Sequence, residues 1–177
     1  MNVVELGEGR PLVFLHGLGW DHEMWLPSMK KFSDRYRVIS GDTRGHGRSD
    51  KPPGPYSIQK FSDDWHGALQ RLGVKGACVV GFSQGGMIAQ MLAVQHPEDV
   101  GALLLVCTTC RSSPDVKEIL EERIRQARLN GAEAAAHLAT KVIFSSGFTA
   151  ANPARLEEFV RWRAAMAASV NSATPPR

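Results

Sequence analysis

The sequence lacks the features that mark secreted, membrane-spanning and disulfide-rich proteins. Its three cysteines, Cys78, Cys107 and Cys110, are too few and odd in number to form a disulfide framework. The longest apolar run, ALLLVC, is much shorter than a membrane-spanning helix, and the first ten residues contain neither the basic nor the apolar region of a signal peptide. We therefore expect a cytoplasmic protein that makes no membrane contact.

Strong charge is also lacking. The net charge of +3 at pH 7 is mild, and the basic residues are scattered without the aromatic-interleaved stripe typical of nucleic-acid binding. The C-x-x-C segment Cys107–Cys110 has no second pair of cysteines or histidines beside it, so a zinc site is not expected there. Hydrophobic residues make up 43% of the 177 residues, which suits one ordinary domain.

Four short apolar runs are present and predict buried strands. They are Pro11–His16, Tyr36–Asp42, Gly76–Phe82 and Gly101–Cys107. None of them alternates apolar with polar residues, which indicates burial on both faces and hence a mostly parallel sheet. Helical patterns lie between them, at Met24–Ser33, Ile58–Leu72 and Gln84–His96. The alternation predicts an α/β fold with helices on both faces of the sheet.

The pattern changes after Cys107, where only helices are predicted. They cover Asp115–Leu129, Ala132–Ile143 and Pro153–Val170, and the segments Asn130-Gly131 and SSGFTAANP are interpreted as the breaks between them. These signals divide the chain into a core of residues 1–107, a helical segment of residues 108–170 and a polar tail of residues 171–177.

A serine between glycines follows the third predicted strand and precedes a helix. In Gly81-Phe82-Ser83-Gln84-Gly85, the serine would occupy a sharp strand-to-helix turn, which is the context that a nucleophile elbow requires. The small neighbouring residues let the strand and the helix approach each other, and the helix N-terminus favours negative charge beside the serine. We expect Ser83 to be a nucleophile with positive φ.

A second glycine turn, His16-Gly17-Leu18-Gly19, follows the first buried strand. Backbone N–H groups on such a turn can pair with the N–H of the residue after the nucleophile and hold an oxyanion. The donors that we predict are the N–H groups of Leu18 and Gln84.

Three motifs in this order carry a family resemblance. HGLGW, then DTRGHGRSDKP, then GFSQGG resemble the α/β-hydrolase superfamily, and in particular its small esterases, cofactor-free haloperoxidases and 3-oxoadipate enol-lactonases. The resemblance implies an α/β-hydrolase sheet, a helical cap formed by residues 108–170, and hydrolysis of a small carboxylic ester or lactone through an acyl-enzyme at Ser83. It implies no metal and no organic cofactor. Trp25, Phe82, Phe144 and Trp162 are candidates for the substrate pocket.

The histidine and the acid of a catalytic triad are harder to find. In this family they follow the serine in the order serine, acid, histidine, and only His96 and His137 follow Ser83. His96 would lie roughly 20 Å from Ser83 at the far end of a helix, and His137 lies in the helical segment. We therefore expect a hydrolase truncated before its triad acid and histidine, a poor catalyst alone, with His22 as a surrogate base to test.

Truncation leads to further expectations. The first antiparallel strand of the fold is expected to be absent, because only MNVVEL precedes the first buried strand. Loss of the last strands would leave ALLLVC at the sheet margin, where an apolar edge favours a homodimer. One alternative function is a catalytically incomplete fragment that acts as a non-enzymatic or interaction module. Another is perhydrolase (haloperoxidase) chemistry at the same serine.

Overall fold

A computed structural model describes residues 1–111 and 113–171, with side chains up to residue 166. The chain divides into two compact units, Met1–Cys110 and Arg111–Arg177. The first unit contains strands β1 (Val3–Leu6), β2 (Arg10–Leu15), β3 (Tyr36–Gly41), β4 (Ala77–Phe82) and β5 (Val100–Val106), and helices α1 (Leu26–Phe32), α2 (Ile58–Arg71) and α3 (Gln84–Gln95). Short 3₁₀ turns cover His22–Trp25 and Pro97–Asp99. The second unit contains helices α4 (Pro114–Ile143), α5 (Ser146–Ala151) and α6 (Pro153–Asn171).

The five strands form one sheet in the order β1-β3-β2-β4-β5. Strand β1 runs antiparallel to β3, and the pairs β2–β3, β2–β4 and β4–β5 are parallel. The predicted α/β architecture with a mostly parallel sheet is therefore confirmed. The predicted strand ends His16, Asp42 and Cys107 lie just beyond the strands, in the loops at the carboxyl edge of the sheet.

The prediction that the first antiparallel strand is absent was wrong. Residues Val3–Leu6 pair with β3 in register, from Val3 opposite Gly41 to Leu6 opposite Val38. The chain reverses after this strand through Gly7, whose φ of +73° favours glycine, and a Cβ there would lie 2.5 Å from the Tyr36 carbonyl oxygen. A strand of four residues is too short to show a clear pattern in the sequence.

Both faces of the sheet are covered, which explains why the strands do not alternate. Side chains on successive strand residues point to opposite faces. Val13 packs on one face against Trp65 and Ile88, while Phe14 packs on the other with Met29. Each of these five apolar residues is at most 3% exposed, so the sheet is held between two apolar layers.

Strand β5 lies at the margin of the sheet, as predicted for ALLLVC. It is the last strand in the sheet order, and its central residues are exposed: Leu103 by 37%, Leu104 by 56% and Leu105 by 44%. An apolar edge of this kind is a site at which another strand can pair.

The second unit is helical, as predicted, with one difference. Helix α4 contains a kink at Gly131 (φ 83°, ψ 179°), at the Asn-Gly break predicted between its two halves. The segment interpreted as a break contains helix α5, because the Ser145 hydroxyl caps its start by accepting a hydrogen bond of 3.2 Å from the Phe148 N–H.

Of the predicted polar tail, Asn171 ends α6 and the remaining residues lie outside the described ones. No helix in residues 1–111 and 113–171 has the length and apolar character needed to cross a membrane.

Candidate active site

Ser83 occupies a sharp turn between β4 and α3. Its backbone has φ 52° and ψ −115°, a conformation that non-glycine residues rarely adopt. The predicted positive φ is therefore present. Helix α3 begins at the next residue, so its N-terminal N–H groups lie beside the serine.

The glycines around Ser83 are required by close backbone approach. A Cβ on Gly81 would lie 2.5 Å from the Gly86 Cα, and a Cβ on Gly85 would lie 2.7 Å from the His16 carbonyl oxygen. A Cβ on Gly86 would lie 2.5 Å from the Thr108 side chain. No side chain fits at these distances, so the turn depends on all three glycines.

The glycine turn that follows β2 lies directly beside the elbow. A Cβ on Gly17 would lie 2.9 Å from the Phe82 ring and 3.3 Å from the Ser83 Cβ. The Gly17 carbonyl accepts a hydrogen bond of 3.1 Å from the Trp20 N–H, and Gly19 has φ +71°, which matches the third position of a type II turn. The structure thus brings together the two motifs that the sequence separates by more than sixty residues.

The predicted oxyanion donors lie on these two turns. Gln84 is the first residue of α3, so its N–H is one of those without an acceptor inside the helix. Leu18 is the second residue of the glycine turn, and its side chain is 42% exposed. Convergence of the two N–H groups on one oxyanion stays a prediction.

The backbone of Ser83 is braced by the chain that leaves β5. The Ser83 N–H donates to the Val106 carbonyl at 2.9 Å, and the Ser83 carbonyl accepts from the Thr108 hydroxyl at 2.7 Å. Cys107, between these two residues, has φ +48°. No local pattern indicates that the C-x-x-C segment positions the serine, because the contact between Thr108 and Ser83 spans 25 residues.

His16 holds the loops together and is unsuited to proton transfer. Its Nε2 accepts a hydrogen bond of 2.9 Å from the Thr43 N–H, so Nδ1 carries the proton and donates to the Gly17 carbonyl at 2.8 Å. Burial lowers the pKa of His16 to about 4, so its neutral ring fixes the two loops. Burial also lowers the pKa of His46, whose ring lies 5.1 Å from that of His16.

His22 and Asp42 form a buried histidine–carboxylate pair that the sequence did not reveal. The His22 Nδ1 lies 2.7 Å from Asp42 Oδ1, and the two side chains are 6% and 0% exposed. Burial raises the pKa of Asp42, but hydrogen bonds from the N–H groups of His22 and Arg48 outweigh it and lower the pKa. Donation from Nδ1 to Asp42 leaves the His22 Nε2 as an acceptor.

Within residues 1–111 and 113–171, no residue forms a hydrogen bond with the Ser83 hydroxyl. His96 lies at the opposite end of α3 from Ser83, as predicted, and His137 lies in α4 of the second unit. A carboxylate holds the Nδ1 of His22, which matches the orientation of a catalytic base. His66 has a carboxylate at the same ring nitrogen, but it lies on α2 near His96, at the end of α3 away from Ser83.

The four candidate pocket residues fall into two groups. In the first unit, the Trp25 ring packs 4.8 Å from the Phe14 ring, and Phe82 lies against the glycine turn. In the second unit, Phe144 and Trp162 belong to one aromatic cluster, with ring centroids 5.2 Å and 6.0 Å from that of Phe159. Their role in substrate binding stays a prediction.

Comparison with known proteins supports the same assignment. The family model described as the alpha/beta hydrolase fold matches residues 10–136. The chain is 32% identical over 160 residues to 3-oxoadipate enol-lactonase 2 of Acinetobacter baylyi, covering 89% of this chain and 59% of that protein. The solved enol-lactonase of Burkholderia xenovorans is 30% identical with a TM-score of 0.79, over 93% of this chain and 64% of that one.

A further solved structure, Est816, is described as an N-acyl homoserine lactone degrading enzyme. It is 31% identical with a TM-score of 0.74, over 90% of this chain and 60% of that one. The chain thus spans about three fifths of the length of the curated relatives that it matches. On its family match, its sheet and its strand-to-helix serine turn, this chain belongs to the α/β-hydrolase family.

Proposed function

We propose that this protein is a serine hydrolase that cleaves small carboxylic esters or lactones through an acyl-enzyme at Ser83. The backbone of Ser83 carries the proposal, because φ of 52° at the turn from β4 to α3 presents the side chain at the end of the sheet. Such a conformation costs about 1–3 kcal/mol, a cost that is typical of functional positions. The lactonases among the relatives support the substrate class.

The proposed reaction is acyl transfer to water. The Ser83 Oγ attacks the carbonyl carbon and its proton passes to a base, while the N–H groups of Leu18 and Gln84 hold the oxyanion. The tetrahedral intermediate then expels the alcohol oxygen, which takes up the proton. Water hydrolyses the acyl-enzyme and regenerates Ser83. In a lactone both products remain in one molecule.

The binding of the substrate belongs to the same proposal. Trp25 and Phe82 supply apolar contacts from the first unit. No metal or organic cofactor takes part in this scheme.

The scheme does not assign the base that takes the proton of Ser83. A base added to the solution can test the role of the serine without that residue. Exogenous imidazole can take the proton of a positioned serine, so we expect it to raise the turnover of p-nitrophenyl acetate by about tenfold, below the 10²–10⁴-fold of a positioned base. The experiment uses a Cys107→Ser, Cys110→Ser background, because both thiols are exposed and react with activated esters.

The control variants are Ser83→Ala and Ser33→Ala. Ser33 ends α1, where its hydroxyl donates to the Lys30 carbonyl. After subtraction of the rate with imidazole and no protein, we expect the imidazole-dependent rate to vanish in Ser83→Ala and to persist in Ser33→Ala. Equal rates in all three proteins would overturn the proposal. A large rate without imidazole, lost in His22→Gln, would identify His22 as the base.

A second candidate function is an interaction module that lacks full catalysis. The exposed leucines of β5 at the sheet margin favour it. In that case the rate stays at background with and without imidazole, while the chain self-associates or binds a partner strand.

A further inference from the structure

A cluster of metal-ligating side chains lies away from Ser83, where α2 meets the turn after α3. His66 lies on α2, His96 is the residue that ends α3, and Glu98 lies in the 3₁₀ turn before β5. One donor atom from each lies within 4.8 Å of the other two. Imidazole nitrogen and carboxylate oxygen together are ligands that Zn²⁺ prefers.

The two histidine rings are held face to face. Their centroids are 3.7 Å apart and their planes differ by 9°. The two side chains are only 28% and 21% exposed, so each ring is restricted by its surroundings while an edge stays accessible. Two imidazoles this close can offer two nitrogen ligands to one ion once the rings turn out of their parallel stack, because the lone pair of each nitrogen lies in its own ring plane.

His66 has the outer partner that metal-ligating histidines use. Its Nδ1 lies 2.7 Å from Asp99 Oδ2, and Asp99 is fully buried. Gln70 fixes this carboxylate in turn by donating from Nε2 to Oδ1 at 3.1 Å. A carboxylate on one ring nitrogen directs the other nitrogen outward and makes it a better metal ligand. The Nε2 of His66 is therefore the ligand atom.

The Nε2 of His96 is the second candidate ligand atom. Its Nε2 is buried and has no hydrogen bond in the described part of the chain. The Asp63 Oδ1 lies 3.7 Å away, too far for a hydrogen bond but close enough to add negative charge. Buried polar atoms are nearly always satisfied, so an unpartnered ring nitrogen beside a second imidazole points to a ligand.

We propose that His66, His96 and Glu98 form a binding site for Zn²⁺ or a similar transition-metal ion. Bonds of about 2.0–2.2 Å hold tetrahedral ligands roughly 3.4 Å apart, so binding draws donor atoms that lie within 4.8 Å of one another together by at most about 1.4 Å. The exposed side chain of Glu98 allows this movement, while its backbone is held because its carbonyl accepts from the Gly76 N–H at 2.9 Å. The ion would join α2 to the turn that leads into β5.

A second cluster, Asp21, His22 and Asp42, is less suited to an ion. Both oxygens of Asp42 already accept hydrogen bonds, from the N–H groups of His22 and Arg48 and from the Asn2 side chain. An ion there would have to displace these donors. This cluster is therefore the competitor to be tested, through a His22→Gln variant.

The test is calorimetric titration of the whole chain with ZnCl₂, in the Cys107→Ser, Cys110→Ser background that removes the two exposed thiols. We expect one ion per chain at about pH 7.5 and loss of binding at about pH 5, because protons compete for imidazole nitrogen. His66→Gln and His96→Gln should each weaken binding at least tenfold. The control His137→Gln, on α4, should bind as the background protein does.

The buried carboxylate gives a second, independent readout. Asp99→Asn should weaken zinc binding by about 10–100-fold while circular dichroism shows the fold intact. Replacement of Zn²⁺ by Co²⁺ at the site should produce a visible absorption band, and this band should be absent in His96→Gln. Undetectable binding at about pH 7.5, or binding that survives both His66→Gln and His96→Gln, or binding lost only in His22→Gln, would each overturn the proposal.

Discussion

Substitution of Gly85 by alanine gives the sharpest test of how the serine turn is built. A Cβ at this position would lie 2.6 Å from the Leu15 carbonyl carbon and 2.7 Å from the His16 carbonyl oxygen. These atoms belong to the backbone that leaves β2, so no rotamer change relieves the contact. Since ordinary Cβ contacts begin near 3.4 Å, α3 and β2 must separate by nearly 1 Å.

The cost follows from what this separation disrupts. Helix α3 carries Ile88 and Leu92, which are fully buried against the sheet. Forcing extra volume into a packed core costs typically 1–3 kcal/mol, and an immovable backbone contact belongs at the upper end. With about 2–4 °C per kcal/mol for a protein of this size, we expect the melting temperature to fall by about 6–12 °C.

Gly67→Ala is the matched control. Gly67 lies inside α2, and the nearest atom to an added Cβ is Arg71 Nη1 at 3.8 Å, which is ordinary contact. Alanine is favoured over glycine in a helix by about 0.5–1 kcal/mol, so this variant should melt slightly higher than the parent. Thermal unfolding followed by circular dichroism measures both. A Gly85→Ala protein that melts within about 1 °C of the parent would refute the close approach of α3 and β2.

Two further predictions concern pH and assembly. The pKa of His16 falls from 6.5 to about 4 on folding, so its contribution to stability is present above pH 6.5 and is lost as the pH falls toward about 4, roughly 3 kcal/mol in all. Urea titrations across this range should show that loss, with His46 contributing in the same direction, and a His16→Gln variant with an unchanged slope would contradict it. Leu104→Lys should weaken self-association at least about tenfold by light scattering, because it removes an apolar edge contact, whereas Val94→Lys on α3 should not. A parent chain that stays monomeric at all concentrations would contradict the homodimer.

Local signals explain what the sequence could predict. The elbow at Ser83 and the turn at Gly17 are each written in five or fewer consecutive residues, and the strands that precede them are continuous apolar runs. The marginal position of β5 was predicted on different grounds, from the expected loss of the last strands of the family's sheet, whereas the elbow, the turn and the strands were predicted from local residues. These features depend on backbone conformation and burial, which neighbouring residue types largely determine.

What the sequence did not show depends on contacts between distant residues. The pair His22–Asp42 spans 20 residues, and the bond from Thr108 to Ser83 spans 25. Neither contact produces a periodic or compositional pattern in the sequence. Strand β1 and helix α5 were missed for another reason, since elements of four and six residues are too short to display a period.

The segment formed by β5 and the residues after it combines an exposed edge of the sheet with contacts to the Ser83 backbone. Strand β5 has exposed leucines at the sheet margin. Val106 at its end and Thr108 just beyond it form hydrogen bonds with the Ser83 backbone. A strand that paired with β5 would therefore pull on the same backbone that sets the position of the nucleophile. We therefore expect assembly at this edge to alter reactivity at Ser83, because a single pair of hydrogen bonds joins the two parts of the chain.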